Sequence, residues 1–144
     1  MVLSQKSQYA VRAVFELAKR HGSGPMPAGR VAEAQYIPVR FLENILSELR
    51  QAGIVESVRG KEGGYRLSRA PRRLTVGEVI RLVQGPLTAV DCAAECPLRP
   101  GCVLLPVWDK AHRAMMDVFE STTFKDLVDT EQATSEREVI NYAI

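Results

Sequence analysis

Three short segments with apolar residues at helical spacing, each closed by glycine or proline, are followed by two β-branched stretches joined by a basic, glycine-rich turn. Few folds accept that order. In residues ~4–20, Ala10, Ala13, Val14, Leu17 and Ala18 recur on one helical face, with Ser4 placed to cap the first turn. The run His21-Gly22-Ser23-Gly24-Pro25 stops it. Pro27 then suits the first turn of a second helix over 28–35, which carries Val31 and Ala32 inward. Pro38 opens a third helix whose Leu42, Ile45, Leu46 and Leu49 stand at i, i+3, i+4 and i+7. Beyond Gly53, residues 54–58 read as a strand, 59–64 as a turn and 65–67 as the returning strand. The predicted fold class is mainly α with a small β-hairpin: a winged helix-turn-helix domain, with a long dimerisation helix after it.

In that architecture the third helix enters the major groove of DNA, which is wide enough for a helix and displays a distinct pattern for each base pair. Its polar face carries Arg40, Glu43, Asn44, Ser47, Arg50 and Gln51. Arg40 suits guanine or a phosphate, Asn44 adenine, and Glu43 a cytosine amino group, while Ser47 and Arg50 suit the backbone. The hairpin turn is the wing. Arg59, beside Gly60, fits a narrow minor groove, with Lys61 next to it. Gly63 and Gly64 are expected to let the backbone turn tightly and come close to DNA. Charge agrees with a polyanionic partner. Residues 1–73 hold 13 Lys/Arg against 6 Asp/Glu, whereas residues 74–144 hold 6 against 11. Phosphate contacts from such a basic half release condensed counterions.

In the second half, Thr75 and Glu78 have the spacing of a capping box for a helix running to about 83. A Pro/Gly/Cys-rich loop occupies 85–103. Leu104, Trp108, Ala111, Met115 and Val118 then fall at steps of 4, 3, 4 and 3, a heptad-like seam expected of a helix pairing with another helix. Thr123 and Asp126 form a second capping box before a short last helix. The expected division is a DNA-binding domain over 1–84, a sensor loop over 85–103, a dimerisation helix with the short helix over 104–131, and a flexible polar tail over 132–144.

All three cysteines, Cys92, Cys96 and Cys102, lie within eleven residues as C-x3-C-x5-C. In a cytosolic protein such a cluster points to metal binding or redox chemistry ahead of a structural disulfide. Thiolates ligate iron-sulfur clusters, and Pro97, Pro100 and Gly101 keep the segment out of a helix, so the sulfurs are free to face one site. Spacing alone leaves zinc open, and also a thiol switch such as a Cys92–Cys102 disulfide.

The residues resemble the Rrf2 family of bacterial regulators. The matching stretches are Leu3-Ser4-Gln5-Lys6 with Tyr9-Ala10-Val11, then Phe41-Leu42-Glu43 with Leu46 and Leu49, then Gly53-Ile54-Val55. The most specific is Val58-Arg59-Gly60 with Gly63-Gly64-Tyr65-Arg66-Leu67, followed by Thr75-Val76-Gly77-Glu78-Val79-Ile80, the cysteine loop and Trp108. The likeness covers residues ~1–130. It implies a homodimer on a roughly palindromic double-stranded operator, usually as a repressor, with the long helix crossing into the partner. In cluster-holding members the three cysteines bind iron-sulfur, here expected as a 2Fe–2S centre sensing iron-sulfur, redox or nitric oxide status. The sequence departs from the pattern in places. The fourth-ligand histidine of such members has Leu105 at its position, and the carboxylate used by others has Gln8. The first cysteine gap is also two residues shorter than in the histidine-ligated members. Asp91, Glu95 and His112 are available, and the fourth ligand stays unassigned. Tyr36 stands in the turn before the third helix, where glycine is common, so that turn is expected to differ locally.

Other functions fit less. His21 and His112 are far apart, and the glycines of 60–64 sit in a hairpin and not before a helix, so an enzyme is not expected. An iron-sulfur or zinc interaction or electron-transfer module explains the cysteines and leaves the basic wing idle. A same-family regulator sensing thiol oxidation or a metabolite without metal is the nearer rival. No apolar run approaches the ~20 residues of a membrane span, and Gln5, Lys6, Ser7 and Gln8 interrupt any leader-like start, so a cytoplasmic location is expected.

Overall fold

A computed structural model describes residues 3–88, 90, 92 and 95–143. The elements run α1 (Gln5–Lys19), α2 (Ala28–Gln35), α3 (Val39–Gln51), β1 (Val55–Val58), β2 (Gly64–Leu67), a 3-10 turn (Pro71–Arg73), α4 (Val76–Gln84), α5 (Leu105–Ser121) and α6 (Phe124–Ala143). This is the winged helix arrangement predicted from the sequence. Among the described residues no helix is long and apolar enough to cross a membrane.

α1 is the hub, touching α2, α3, α4, α6 and β2. Its Ala10, Ala13 and Ala18 are small enough for neighbouring backbones to close in, while Val14 and Leu17 fill the space between. Leu42, Ile45, Leu46 and Leu49 of α3 are all buried against it, as their spacing required. Each such side chain contributes roughly 1.5–3 kcal/mol on burial. Glu16 is a buried charge that periodicity did not reveal. It accepts from Gln35 Nε2 at 2.7 Å and pairs with Lys19 Nζ at 2.9 Å, tying α1 to α2.

β1 and β2 pair antiparallel with Val55 opposite Leu67 and Glu56 opposite Arg66, whose side chains form an ion pair at 2.5 Å. A second short join holds the C-terminal half in place. Val76 N–H donates to Thr122 O at 2.9 Å, Phe124 N–H donates to Leu74 O at 3.0 Å, and Thr75 bridges Thr123. Phe124, fully buried, plugs this join.

Several local expectations change. Tyr36 does not alter the α2–α3 turn. It adopts the left-handed conformation itself, at φ 51° and ψ 49°, because its N–H and that of Ile37 must bond the last carbonyls of α2. The box at Thr75 is made in one direction, Glu78 N–H to Thr75 Oγ1 at 3.2 Å, while the Glu78 carboxylate pairs with the Arg69 guanidinium. The box at Thr123 is reciprocal: Asp126 N–H donates to Thr123 Oγ1 at 3.1 Å, and Thr123 N–H to Asp126 Oδ2 at 2.9 Å. The last helix is not short. It continues through Ala143, since residues 131–143 are rich in helix formers and contain neither glycine nor proline to end it. Polarity over 132–143 marks an exposed helix instead of an irregular tail.

Candidate nucleic-acid interface and cysteine loop

The buried stripe of α3 fixes the opposite face outward. Arg40, Glu43, Asn44 and Arg50 are exposed, and Ser47 is half-buried. Between them Val39 and Phe41 are also exposed, an apolar component that reading for hydrogen-bonding side chains missed. Thymine methyl groups give such residues a contact in the major groove.

The wing presents Arg59, Gly60 and Lys61 at its exposed tip. Neither Arg59 nor Lys61 has an ion-pair partner among the described residues, whereas Arg66 on the strand below is held by Glu56. Gly60 bends the chain at φ 119°, and its carbonyl accepts from Gly63 N–H at 3.0 Å. The other two glycines serve packing within the protein. A Cβ at Gly63 would lie 2.2 Å from Val58 O, and one at Gly64 would lie 2.3 Å from the Met26 carbonyl. Met26 and Tyr65 exchange two backbone hydrogen bonds of 2.8 Å at that point, so the wing is clamped to the segment before α2. Packing inside the protein thus requires glycine at both positions, whether or not DNA comes close to the turn.

The first turn of α1 lies beside α3. Lys6 Nζ pairs with Glu48 at 2.6 Å, and Gln5 Nε2 donates to the Tyr9 hydroxyl at 2.9 Å. Together with Phe41, Asn44, Ile45 and Ser47 these residues line a groove continuous with the recognition face. At its other side Gln84, the last residue of α4, accepts through Oε1 from Ser4 N–H at 3.0 Å and from the Ser7 hydroxyl at 2.9 Å. Ser7 is buried, and its N–H bonds the Ser4 hydroxyl at 3.0 Å. The start of the cysteine loop is thereby bolted to the helix that touches α3. Only hydrogen bonds spanning about eighty residues reveal this, so no local sequence signal marks Gln84.

Beyond Gln84 the described residues before α5 lie in turns and irregular backbone, and Leu87 is buried. Cys92, Cys96 and Cys102 are free thiols, all half-buried. Asp91 lies outside the described residues. Among the described residues no three His, Cys, Asp or Glu side chains converge closely enough to hold a metal ion. The donor chemistry nevertheless suits an iron-sulfur cluster: three free thiols within eleven residues, and an imidazole nitrogen without a partner among the described residues. That imidazole is His112, whose Nδ1 is buried with no hydrogen bond. Gly77 of α4 meets Phe119 and Glu120 of α5, and Arg81 pairs with Glu120. Glu95 is exposed.

α5 carries no buried residue, yet its two faces differ. Trp108, His112, Met115, Met116 and Phe119 are half-buried, and the last three pack on the core. Leu104, Val107, Ala111, Ala114 and Val118 stand outward at steps of 3, 4, 3 and 4, with Val107 53% and Val118 60% exposed. The expected seam is therefore split. Leu104, Ala111 and Val118 lie on the open stripe, whereas Met115 packs on the core and Trp108 is half-buried, with Val107 and Ala114 exposed beside them.

Comparison with known proteins gives a consistent result. The family profile described as "Rrf2: Iron-dependent Transcriptional regulator" matches residues 3–130. The chain is similar to the HTH-type transcriptional regulator CymR of Bacillus subtilis, with 36% identity over 88% of this chain and 89% of that one. The solved structure titled as CymR, the global cysteine regulator of B. subtilis, superposes with a TM-score of 0.80 at 33% identity, covering 90% of this chain and 98% of the other. That of T. potens IscR superposes with a TM-score of 0.76 at 37% identity, covering 92% and 90%.

Proposed function

The chain belongs to the Rrf2 family of transcriptional regulators and is a DNA-binding regulator, and from that premise we propose a homodimeric repressor whose operator affinity is set by an iron-sulfur cluster on Cys92, Cys96 and Cys102. The observation that carries the DNA-binding geometry is the outward face of Arg40, Glu43, Asn44, Ser47 and Arg50 beside a wing whose Arg59 and Lys61 have no ion-pair partner among the described residues. Two recognition helices set by one dimer would read a palindromic operator. The open stripe of α5, with Ala111 and Ala114 at its centre, lets two helices approach closely and cover Leu104, Val107 and Val118.

Arg59→Ala is expected to weaken binding to an operator selected from a random duplex pool by ~1–3 kcal/mol and to lower the salt slope by about 1. Titration at several salt concentrations reads both quantities. Unchanged affinity would remove the wing from recognition.

The cysteine loop supplies three thiolates, and the fourth donor stays unassigned. A bound 2Fe–2S centre would bring sensitivity to oxygen, nitric oxide and iron supply. The protein's own part is to pass loop order to the DNA-binding face. Gln84 ends α4 directly before the loop and grips Ser4 and Ser7, and Lys6 of the same turn grips Glu48 of α3. Ordering the loop therefore favours one placement of α1 against α3, and a ligand shifts only the state it prefers. Protein purified without oxygen is expected to be brown, with iron and sulfide, and Cys96→Ala to lose that absorbance while folding normally. A colourless, iron-free wild type would overturn the cluster.

A second reading keeps the same DNA-binding machinery and senses thiol oxidation or a metabolite. It is favoured by the separated placement of the three thiols and by the likeness to a protein titled a cysteine regulator. Mass measurement of a Cys92–Cys102 disulfide after oxidation distinguishes it.

A further inference from the structure

Tyr36 is the sole non-glycine residue with positive φ among the described residues, and its side chain is 88% exposed. Both facts run against stability. A left-handed conformation in a residue with a Cβ costs roughly 1–2 kcal/mol relative to glycine, and an aromatic ring left in water recovers none of this by burial. The backbone N–H of Tyr36 is used inside the turn, on Glu33 O and Ala32 O, so only the side chain is left for another task. Among the described residues no hydrogen bond or ion pair holds the phenol. Position supplies the task. Tyr36 stands three residues before Val39, the first residue of α3, and four before Arg40, both of them exposed. It therefore stands just outside the first turn of α3, a position that suits contact with the polyanionic backbone flanking a groove that α3 enters. A phenol hydroxyl is a good donor to a phosphate oxygen, one of the contacts that set a protein's register on a duplex.

We propose that Tyr36 is a DNA-contacting residue whose hydroxyl donates to an operator phosphate, so that the strained turn exchanges fold stability for affinity. The test combines two readouts on the full chain: thermal unfolding, and binding to the selected operator and to an unrelated duplex. Tyr36→Gly relieves the left-handed strain and removes the phenol. It is expected to raise Tm by about 3 °C and to weaken binding about tenfold on both duplexes, because a phosphate contact carries no base information. Tyr36→Phe keeps ring and strain, and is expected to bind as weakly as the glycine variant with Tm unchanged. Wild-type affinity in the phenylalanine variant overturns the hydroxyl-to-phosphate contact. Wild-type affinity in the glycine variant overturns any DNA role, and a lower Tm there overturns the exchange of stability for affinity. A loss confined to the operator, with the unrelated duplex unaffected, would mean a base contact and also overturn the proposal.

Discussion

Gly64→Ala is expected to destabilise the fold by about 3 kcal/mol and to remove operator binding together with wing placement. The added Cβ would lie 2.3 Å from both the carbonyl carbon and oxygen of Met26 and 2.6 Å from Pro27 N. All three are backbone atoms, so no side-chain rotation relieves the clash. The hairpin must move away from Met26, breaking the paired 2.8 Å bonds between Met26 and Tyr65. Two lost backbone hydrogen bonds at ~1 kcal/mol each, plus the gap left beside half-buried Tyr65, account for that magnitude. Urea unfolding and operator titration on one preparation measure both parts. A Gly64→Ala variant with wild-type stability would show that the hairpin is not clamped there. Gly60→Ala is the contrast, since nothing lies within 4 Å of a Cβ at Gly60 and only its φ of 119° opposes the change.

Phe124→Ala is expected to cost about 3–5 kcal/mol. Phe124 is wholly buried, at the join where 74–76 pairs with 122–124, and α6 starts from it. Truncation opens a cavity beneath a helix whose remaining residues are half-buried or exposed, leaving little to keep α6 docked on α1. The expected signature in urea is an earlier midpoint, and amide exchange of α6 should rise more than that of α3. Equal protection in both helices would mean that Leu127 and Val128 hold α6 without Phe124. The cap of α6 sets an acid limit as well. Thr123, through its backbone N–H and its hydroxyl, holds the Asp126 carboxyl below its ordinary value of 3.8. A depressed carboxylate stabilises the fold above its unfolded pKa and ceases to as pH falls through the folded one. The α6 cap is thus expected to persist at pH 4 and to fray only in stronger acid, as amide exchange of its first turn would report.

Much of the architecture is local information. Leu42, Ile45, Leu46 and Leu49 announce both the presence of α3 and its inner face, because the i, i+3, i+4, i+7 spacing has one solution on a helix with a core on one side. Arg40, Glu43, Asn44, Ser47 and Arg50 face out as the complement of that stripe. The wing follows from β-branched residues flanking a glycine turn, and the caps at Ser4 and Thr123 from side chains bonding within three residues.

What the sequence left undecided depends on partners distant along the chain. The steps Leu104, Trp108, Ala111, Met115 and Val118 described a helix correctly, yet the core decides that Met115 packs inward while Val107 and Ala114 stand out. On a helix two apolar seams one residue apart look alike until a neighbour covers one of them. Gly64 looked like a turn glycine, and its need arises from Met26, thirty-eight positions earlier. Gln84 and His112 carried no local mark, because a bond to Ser7 and an unpartnered nitrogen exist only after α1, α4 and α5 have met. Tyr36 shows the same division in one residue. The sequence placed a poor residue in a left-handed turn, and the tertiary demand to close α2 onto α3 overrode that local preference. Periodicity, capping and turn chemistry act over a few residues and so determined the elements. Facing, clamping and strain are set by contacts between those elements, and only the assembled fold decided them.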